Sequence, residues 1–177
     1  MIAYQTETIH RTTREGYRCL LKCDAELVLP REYERICSYY RRMAESCIRW
    51  AETAEGERLR EQYLSLEDHR LQAKFELAQY RLRCEPVWQE SVYVSYLCRS
   101  VMRIGDCETE RTMSQVWNLE EQTLVPMSRI VKQFSGKTTP KRIPFRPDGV
   151  YPLERELVFY RNGNGERAGE EFRAPRI

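Results

Sequence analysis

Seven cysteines and two histidines are the side chains of this chain best suited to nucleophilic, redox or metal chemistry: Cys19, Cys23, Cys37, Cys47, Cys84, Cys98, Cys107, His10 and His69. Zinc sites draw their ligands from close pairs such as Cys-x-x-Cys, and no such pair occurs here. An odd number of cysteines in a chain this long does not describe a secreted disulfide framework. Cys37 and Cys47 fall on the apolar stripe of a helix, and Cys84 and Cys98 on apolar strand faces, where a free thiol behaves as a small hydrophobe. Cys19 and Cys23 are four apart in a strand-like run and so face the same side. Cys107, in a turn, is the exposed and reactive thiol of the set. Serine or cysteine catalysis needs a base within hydrogen-bond reach, and neither histidine sits in a Gly-x-Ser-x-Gly or related context. The carboxylates of Glu120 and Glu121 lie in a turn and read as solvated, and there is no phosphate-binding or dinucleotide-binding glycine pattern. The expectation is a protein that is not an enzyme, with no catalytic residue, no cofactor and no metal.

Composition narrows the class. The chain has 177 residues, 41% hydrophobic and 32% charged, which suits one soluble globular domain with a real core. Lys and Arg number 29 against 27 Asp and Glu, a balance that argues against nucleic acid, whose partners carry a clustered basic footprint. The arginines alternate with glutamates, as on an ion-paired surface. No run approaches the ~18 apolar residues that cross a bilayer. The N-terminal residues carry no signal pattern. As it stands the sequence reads as cytoplasmic, and as extracytoplasmic if a signal or anchor belongs to the full protein.

The hydrophobic periods place these residues on elements within a single domain, 1–177. An N-terminal hairpin is expected over 4–29, turning at Arg14-Glu15-Gly16 and closed by Pro30. A long amphipathic helix follows over 31–54, with Tyr33, Ile36, Cys37, Tyr40, Ala44, Cys47, Ile48 and Ala51 on one face. Tyr39, Met43 and Trp50 form a shoulder beside that stripe, and Gly56 is expected to break the helix before a shorter helical piece over 57–68. The period then changes to two. A meander and a short helix are expected over 73–134, with Pro86 interrupting the first strand, a hairpin at Gly105-Asp106, and a helix opened by Pro126. C-terminal strands occupy 142–177, the strongest being Glu156–Tyr160. Lys137, Lys141, Arg142 and Arg146 make the intervening loop basic. The fold class is α+β: an antiparallel β-meander sheet packed against one long amphipathic helix plus short helices.

Three segments carry a family resemblance: Ser91-Val92-Tyr93-Val94-Ser95-Tyr96, Val116 through Leu124 with its Trp117-Asn118-Leu119 turn, and Glu156-Leu157-Val158-Phe159-Tyr160. Together with the element order they resemble the extracytoplasmic domain of the lysozyme-sensing anti-sigma factors of Firmicutes. The domain that accompanies the catalytic unit in some peptidoglycan deacetylases is similar. The resemblance implies a bacterial sensing or binding domain. One segment departs from it: where the family often carries a Gly-Gly-Ala-His-like stretch, this chain has Met102-Arg103-Ile104-Gly105-Asp106-Cys107.

The functional expectation is therefore a non-catalytic binding or sensing domain whose partner is a protein or a cell-wall glycan. The expected ligand surface is Trp88, Tyr93, Gly105, Asp106, Cys107 and Trp117. One alternative is a cytosolic homo-oligomeric protein of structural or regulatory role, a homodimer using the Tyr39, Met43, Trp50 shoulder. A second is a small cysteine-dependent enzyme.

Overall fold

A computed structural model describes residues 2–135, 143–164 and 167–176. Strands β1 (Tyr4–Glu15) and β2 (Arg18–Pro30) form a hairpin, its turn entered by Gly16 at φ +55°. Helix α1 (Glu34–Trp50) begins a turn after Pro30 and continues through a π-helical stretch, Ala51–Gly56, into α2 (Glu57–Leu64). A short α3 (His69–Ala73), capped by the Asp68 carboxylate on the Arg70 N–H, leads to the meander β3 (Ala78–Glu90), β4 (Tyr93–Ile104) and β5 (Cys107–Asn118). Strand β6 (Thr123–Leu124) and α4 (Met127–Phe134) follow, and then β7 (Gly149–Pro152), β8 (Glu156–Arg161) and β9 (Glu170–Pro175).

The first six strands form one sheet in sequence order, antiparallel except where β2 meets β3, and the last three form a second, antiparallel sheet. The parallel pair is forced by the helical crossover between β2 and β3. The fold is thus α+β, with the helix on one face of a mostly antiparallel sheet.

The main core lies between the large sheet and α1. Leu21, Leu27, Ile36, Tyr40, Ile48, Leu82 and Tyr96 are almost completely buried there. Each aliphatic side chain contributes about 1.5–3 kcal/mol by leaving water. A second core forms on the opposite face, where Trp88, Val116, Ile130 and Phe134 meet Leu157 and Phe159 of the second sheet. Strand β4 serves both faces: Val94, Tyr96 and Cys98 point to the helix, while Leu97 packs with Tyr151 and Val158. Among the described residues no helix is long and apolar enough to cross a membrane.

Three expectations need correction. Gly56 does not break the helix. It lies inside the continuous run, and a Cβ there would stand 3.0 Å from the Thr13 hydroxyl oxygen, so glycine serves close approach of the helix to β1. Pro86 does not end its strand, because the ladder to β2 stops at Cys84 and its missing N–H faces that open side; the strain is taken by a bulge before Trp88. The shoulder assigned to a homodimer does not form one shared surface. Tyr39 packs edge-on against Tyr40 and Trp117, Met43 is half-buried, and only Trp50 is substantially exposed, at 50%.

Candidate functional site

The outer edge of β5 is the place where the two sheets come together, and the backbone of Thr112 and Ser114 there is met by side chains of β8 and the residue after it. Ser114 donates its N–H to the Tyr160 phenol oxygen at 2.8 Å. Thr112 donates to Asn162 Oδ1 at 2.6 Å, and Asn162 Nδ2 donates back to the Thr112 carbonyl at 3.0 Å. The Asn162 amide thus imitates a residue of a neighbouring strand. Asn162 is itself held by Asp148, whose carboxylate accepts its N–H at 2.8 Å. Val125 donates to the Val116 carbonyl, so β6 completes the cover.

Gly149 makes room for this arrangement. It lies opposite Tyr160 in the β7–β8 register, and a Cβ on it would come within 2.3 Å of the phenol oxygen. Burial pushes the Tyr160 phenol up from its ordinary pKa despite the Ser114 hydrogen bonds, so it stays protonated in the interior.

The cover stops at Thr112. Backbone groups alternate between the two sides of a strand, so the N–H and C=O of Glu110 and Glu108 also point outward. There the sheets diverge around a cleft of about 520 Å³. One wall is Glu108, Glu110 and Thr112; the other is Arg161, Asn162, Arg167 and Glu170. Arg161 is braced by an ion pair with Glu170 at 2.5 Å and stands 5.4 Å over the Phe145 ring. The cleft offers charges of both signs and backbone donors and acceptors, which suits a polar ligand held by many hydrogen bonds.

A second, more basic cleft of about 450 Å³ lies between Arg18, Lys74, Glu76, Gln79, Arg103 and Gly105. Arg18 is occupied there, donating to the carbonyls of Ala73 and Phe75. Neither cleft is lined by a cysteine or a histidine. His10 pairs with Asp24 at 2.6 Å on the exposed hairpin, and His69 contacts Gln72 on α3. Burial raises the Asp24 carboxyl, but the His10 hydrogen bond and Lys22 outweigh it and hold the group low. Among the described residues no group of three or more His, Cys, Asp or Glu is arranged to hold a metal.

The six residues expected to form a ligand surface do not come together. Trp88, Tyr93 and Trp117 lie at one end of β4, and Gly105, Asp106 and Cys107 at the other, roughly 35 Å apart along a strand of this length. Both tryptophans are core residues. Trp88 is 8% exposed, with Phe134 edge-on to it and the Arg176 guanidinium 4.4 Å from its ring centre. Trp117 is 3% exposed and donates its indole N–H to the Tyr40 hydroxyl at 3.0 Å. Tyr93 is half-buried against Phe134. Gly105 occupies the hairpin turn at φ +56°, beside the basic cleft, and Asp106 and Cys107 are exposed. Of the basic loop, Arg146 is exposed, whereas Lys137, Lys141 and Arg142 fall outside the described residues.

Several groups of the site carry no sequence signal. Asn162 and Gly149 look like ordinary turn residues, and Arg176 looks like a terminal surface charge. Arg176 in fact lies between Trp88 and Phe134, pairs with Glu90, and donates to the Leu153 carbonyl. Desolvation lowers its pKa from the usual arginine value.

No protein-family model matches the chain, and no curated protein does. Solved structures do. A DUF3298 family protein from Pseudomonas aeruginosa PAO1 superposes with a TM-score of 0.62 over 99% of this chain and 91% of its own, at 12% identity. A DUF3298 family member from Bacteroides fragilis NCTC 9343 gives 0.57 over 98% and 90%, at 8% identity. The fold is therefore one found in a family of unknown function, and at these identities the fold is what is shared.

Proposed function

We propose that this chain is a non-catalytic binding or sensing domain that takes a protein or cell-wall glycan in the cleft between its two sheets. The observation that carries the reading is the polar cleft itself: two outward backbone positions, Glu108 and Glu110, face Arg161 and Arg167 across a space of about 520 Å³. The sequence resemblance to the extracytoplasmic domain of lysozyme-sensing anti-sigma factors supports it. The ligands proposed within that class are lysozyme and a bacterial cell-wall glycan.

Calorimetric titration with lysozyme and, separately, with soluble peptidoglycan fragments tests it. One of the two is expected to bind saturably, and Glu110→Lys is expected to weaken that binding by at least about tenfold through charge reversal in the cleft. Absence of binding by both, or binding indifferent to Glu110→Lys, overturns the reading.

A further inference from the structure

Strand β1 is the opposite edge of the large sheet, and among the described residues no strand covers it; the Arg11 guanidinium folds back onto the His10 carbonyl at 3.1 Å. Arg31 donates its N–H to the Ala3 carbonyl at 2.9 Å, which fixes the alternation: Ala3, Gln5, Glu7, Ile9 and Arg11 turn their backbone groups toward β2. Tyr4, Thr6, Thr8, His10 and Thr12 turn theirs outward. The pairing of Tyr4 with Pro30, which has no N–H to give, agrees with this phase. The side chains of Thr6, Thr8, His10 and Thr12 are exposed, and the strand contains neither proline nor lysine, two of the residues that usually blunt a free edge. Its one irregularity is the register shift between Thr13 and Arg14, beyond the outward run.

We infer that β1 pairs with β1 of a second copy, antiparallel about Ile9, to join the two large sheets into one. In that register outward-facing residues meet outward-facing residues, as a ladder requires: Thr6 faces the partner's Thr12, and Thr8 faces the partner's His10. The charged side chains match as well. Glu7 meets the partner's Arg11, Arg11 meets the partner's Glu7, and Ile9 meets the partner's Ile9. All three lie on the helix-facing side, where Glu7 is bound by Arg41 and Arg11 stands 3.7 Å from Glu45. The two charge pairs therefore extend existing ion pairs into alternating networks. A parallel pairing would set Glu7 beside the partner's Glu7 and Arg11 beside the partner's Arg11. Opposite charges directly across a strand pair stabilise, and like charges destabilise. The occupant that fits this edge is thus the chain itself.

Sedimentation of the full chain over a wide concentration range tests the association. A reversible dimer is expected; a monomer throughout overturns the inference. Thr8→Pro removes an N–H that turns away from β2 and has no partner among the described residues, so it is expected to weaken the dimer by at least about tenfold while the folded spectrum is kept. Thr8→Lys, which any edge strand tolerates, is the second variant should the proline unfold the hairpin. A dimer equally strong in whichever of these stays folded overturns the inference. The register is tested by Ile9→Cys in a Cys107→Ser background. Directly opposed positions that do not share ladder hydrogen bonds have Cα atoms about 4.5 Å apart, within disulfide range. Mild oxidation is expected to give a covalent dimer with Ile9→Cys and not with Thr6→Cys. Equal or reversed yields overturn the antiparallel register about Ile9.

Discussion

The two edges of the large sheet solve the same chemical problem in opposite ways. On β5 the outward groups of Thr112, the Ser114 N–H and the Val116 carbonyl are met by Asn162, Tyr160 and the β6 segment, while Glu108 and Glu110 face a cleft. On β1, among the described residues, the outward groups from Tyr4 to Thr12 meet no other strand, and the His10 carbonyl accepts from the Arg11 guanidinium of the same strand at 3.1 Å. A sheet edge is a template for another strand unless it is blocked. The covered edge therefore leaves a small polar cleft for a ligand, and the bare edge offers a long ladder. The difference arises from chain order. The second sheet follows β5 and can fold back over it, whereas among the described residues no later strand returns to the free edge of β1.

The largest expected effect comes from disturbing the covered edge. Gly149→Ala drives a methyl group into the Tyr160 phenol, and the loss of both packing and the Ser114 hydrogen bonds is expected to cost about 3 kcal/mol in urea unfolding. A cost below 1 kcal/mol would mean that Tyr160 is not what fixes the second sheet to β5. Asn162→Ala comes next, at about 2 kcal/mol, because it strands the Thr112 N–H and C=O. The Thr112 amide should then exchange with solvent much faster, and an unchanged rate would remove Asn162 from its role as strand mimic.

The bare edge should respond in the reverse sense. Thr8→Lys is expected to change the stability of the isolated chain by no more than about 0.5 kcal/mol. In dilute protein the amides of Thr6, Thr8, His10 and Thr12 should exchange fast while those of Glu7, Ile9 and Arg11 are protected. The reverse pattern would mean the alternation assigned from Ala3 is wrong.

The smallest effect concerns acid. A hydrogen bond from Arg41 chiefly lowers the Glu7 pKa, against an opposing effect of desolvation. A carboxyl whose folded pKa is depressed adds stability above its unfolded value, near 4.3, and loses it as pH falls through the folded value. The Glu7 side chain is 32% exposed and its Arg41 partner 37%, so solvent screens the pair, and Glu7→Gln should cost only a few tenths of a kcal/mol at neutral pH and nothing well below pH 4. A cost that persists in acid would point to packing rather than charge.

Much of the architecture was legible because it rests on period. The alternation of Ala78, Tyr80, Leu82 and Cys84 gave β3, and the stripe from Ile36 to Ala51 gave the long helix. The two-faced apolarity of β4 follows from its burial between two cores. Cys107, expected in the turn, is the exposed first residue of β5, and Cys37, Cys84 and Cys98 are buried on their apolar faces, whereas Cys47 is only half-buried; Cys23 is buried as well. Burial pushes the Cys23 thiol up to about 12. The candidate site was not legible. Trp88 and Trp117 looked like ligand-binding aromatics because residue type does not say which side of a sheet is covered. Asn162 acquires its role only by reaching a strand 50 residues away.

The sequence by itself determined the elements, their order and the faces that seek burial, since those depend on neighbours within a few residues. It also placed the hairpin at Gly105, where a positive φ requires glycine. Tertiary structure alone decided that the helix runs through Gly56, that the second sheet covers β5 and leaves β1 bare, and that polar groups distant in sequence enclose one cleft. Those outcomes depend on pairings between distant segments, and no local pattern of residues records which edge the chain will return to.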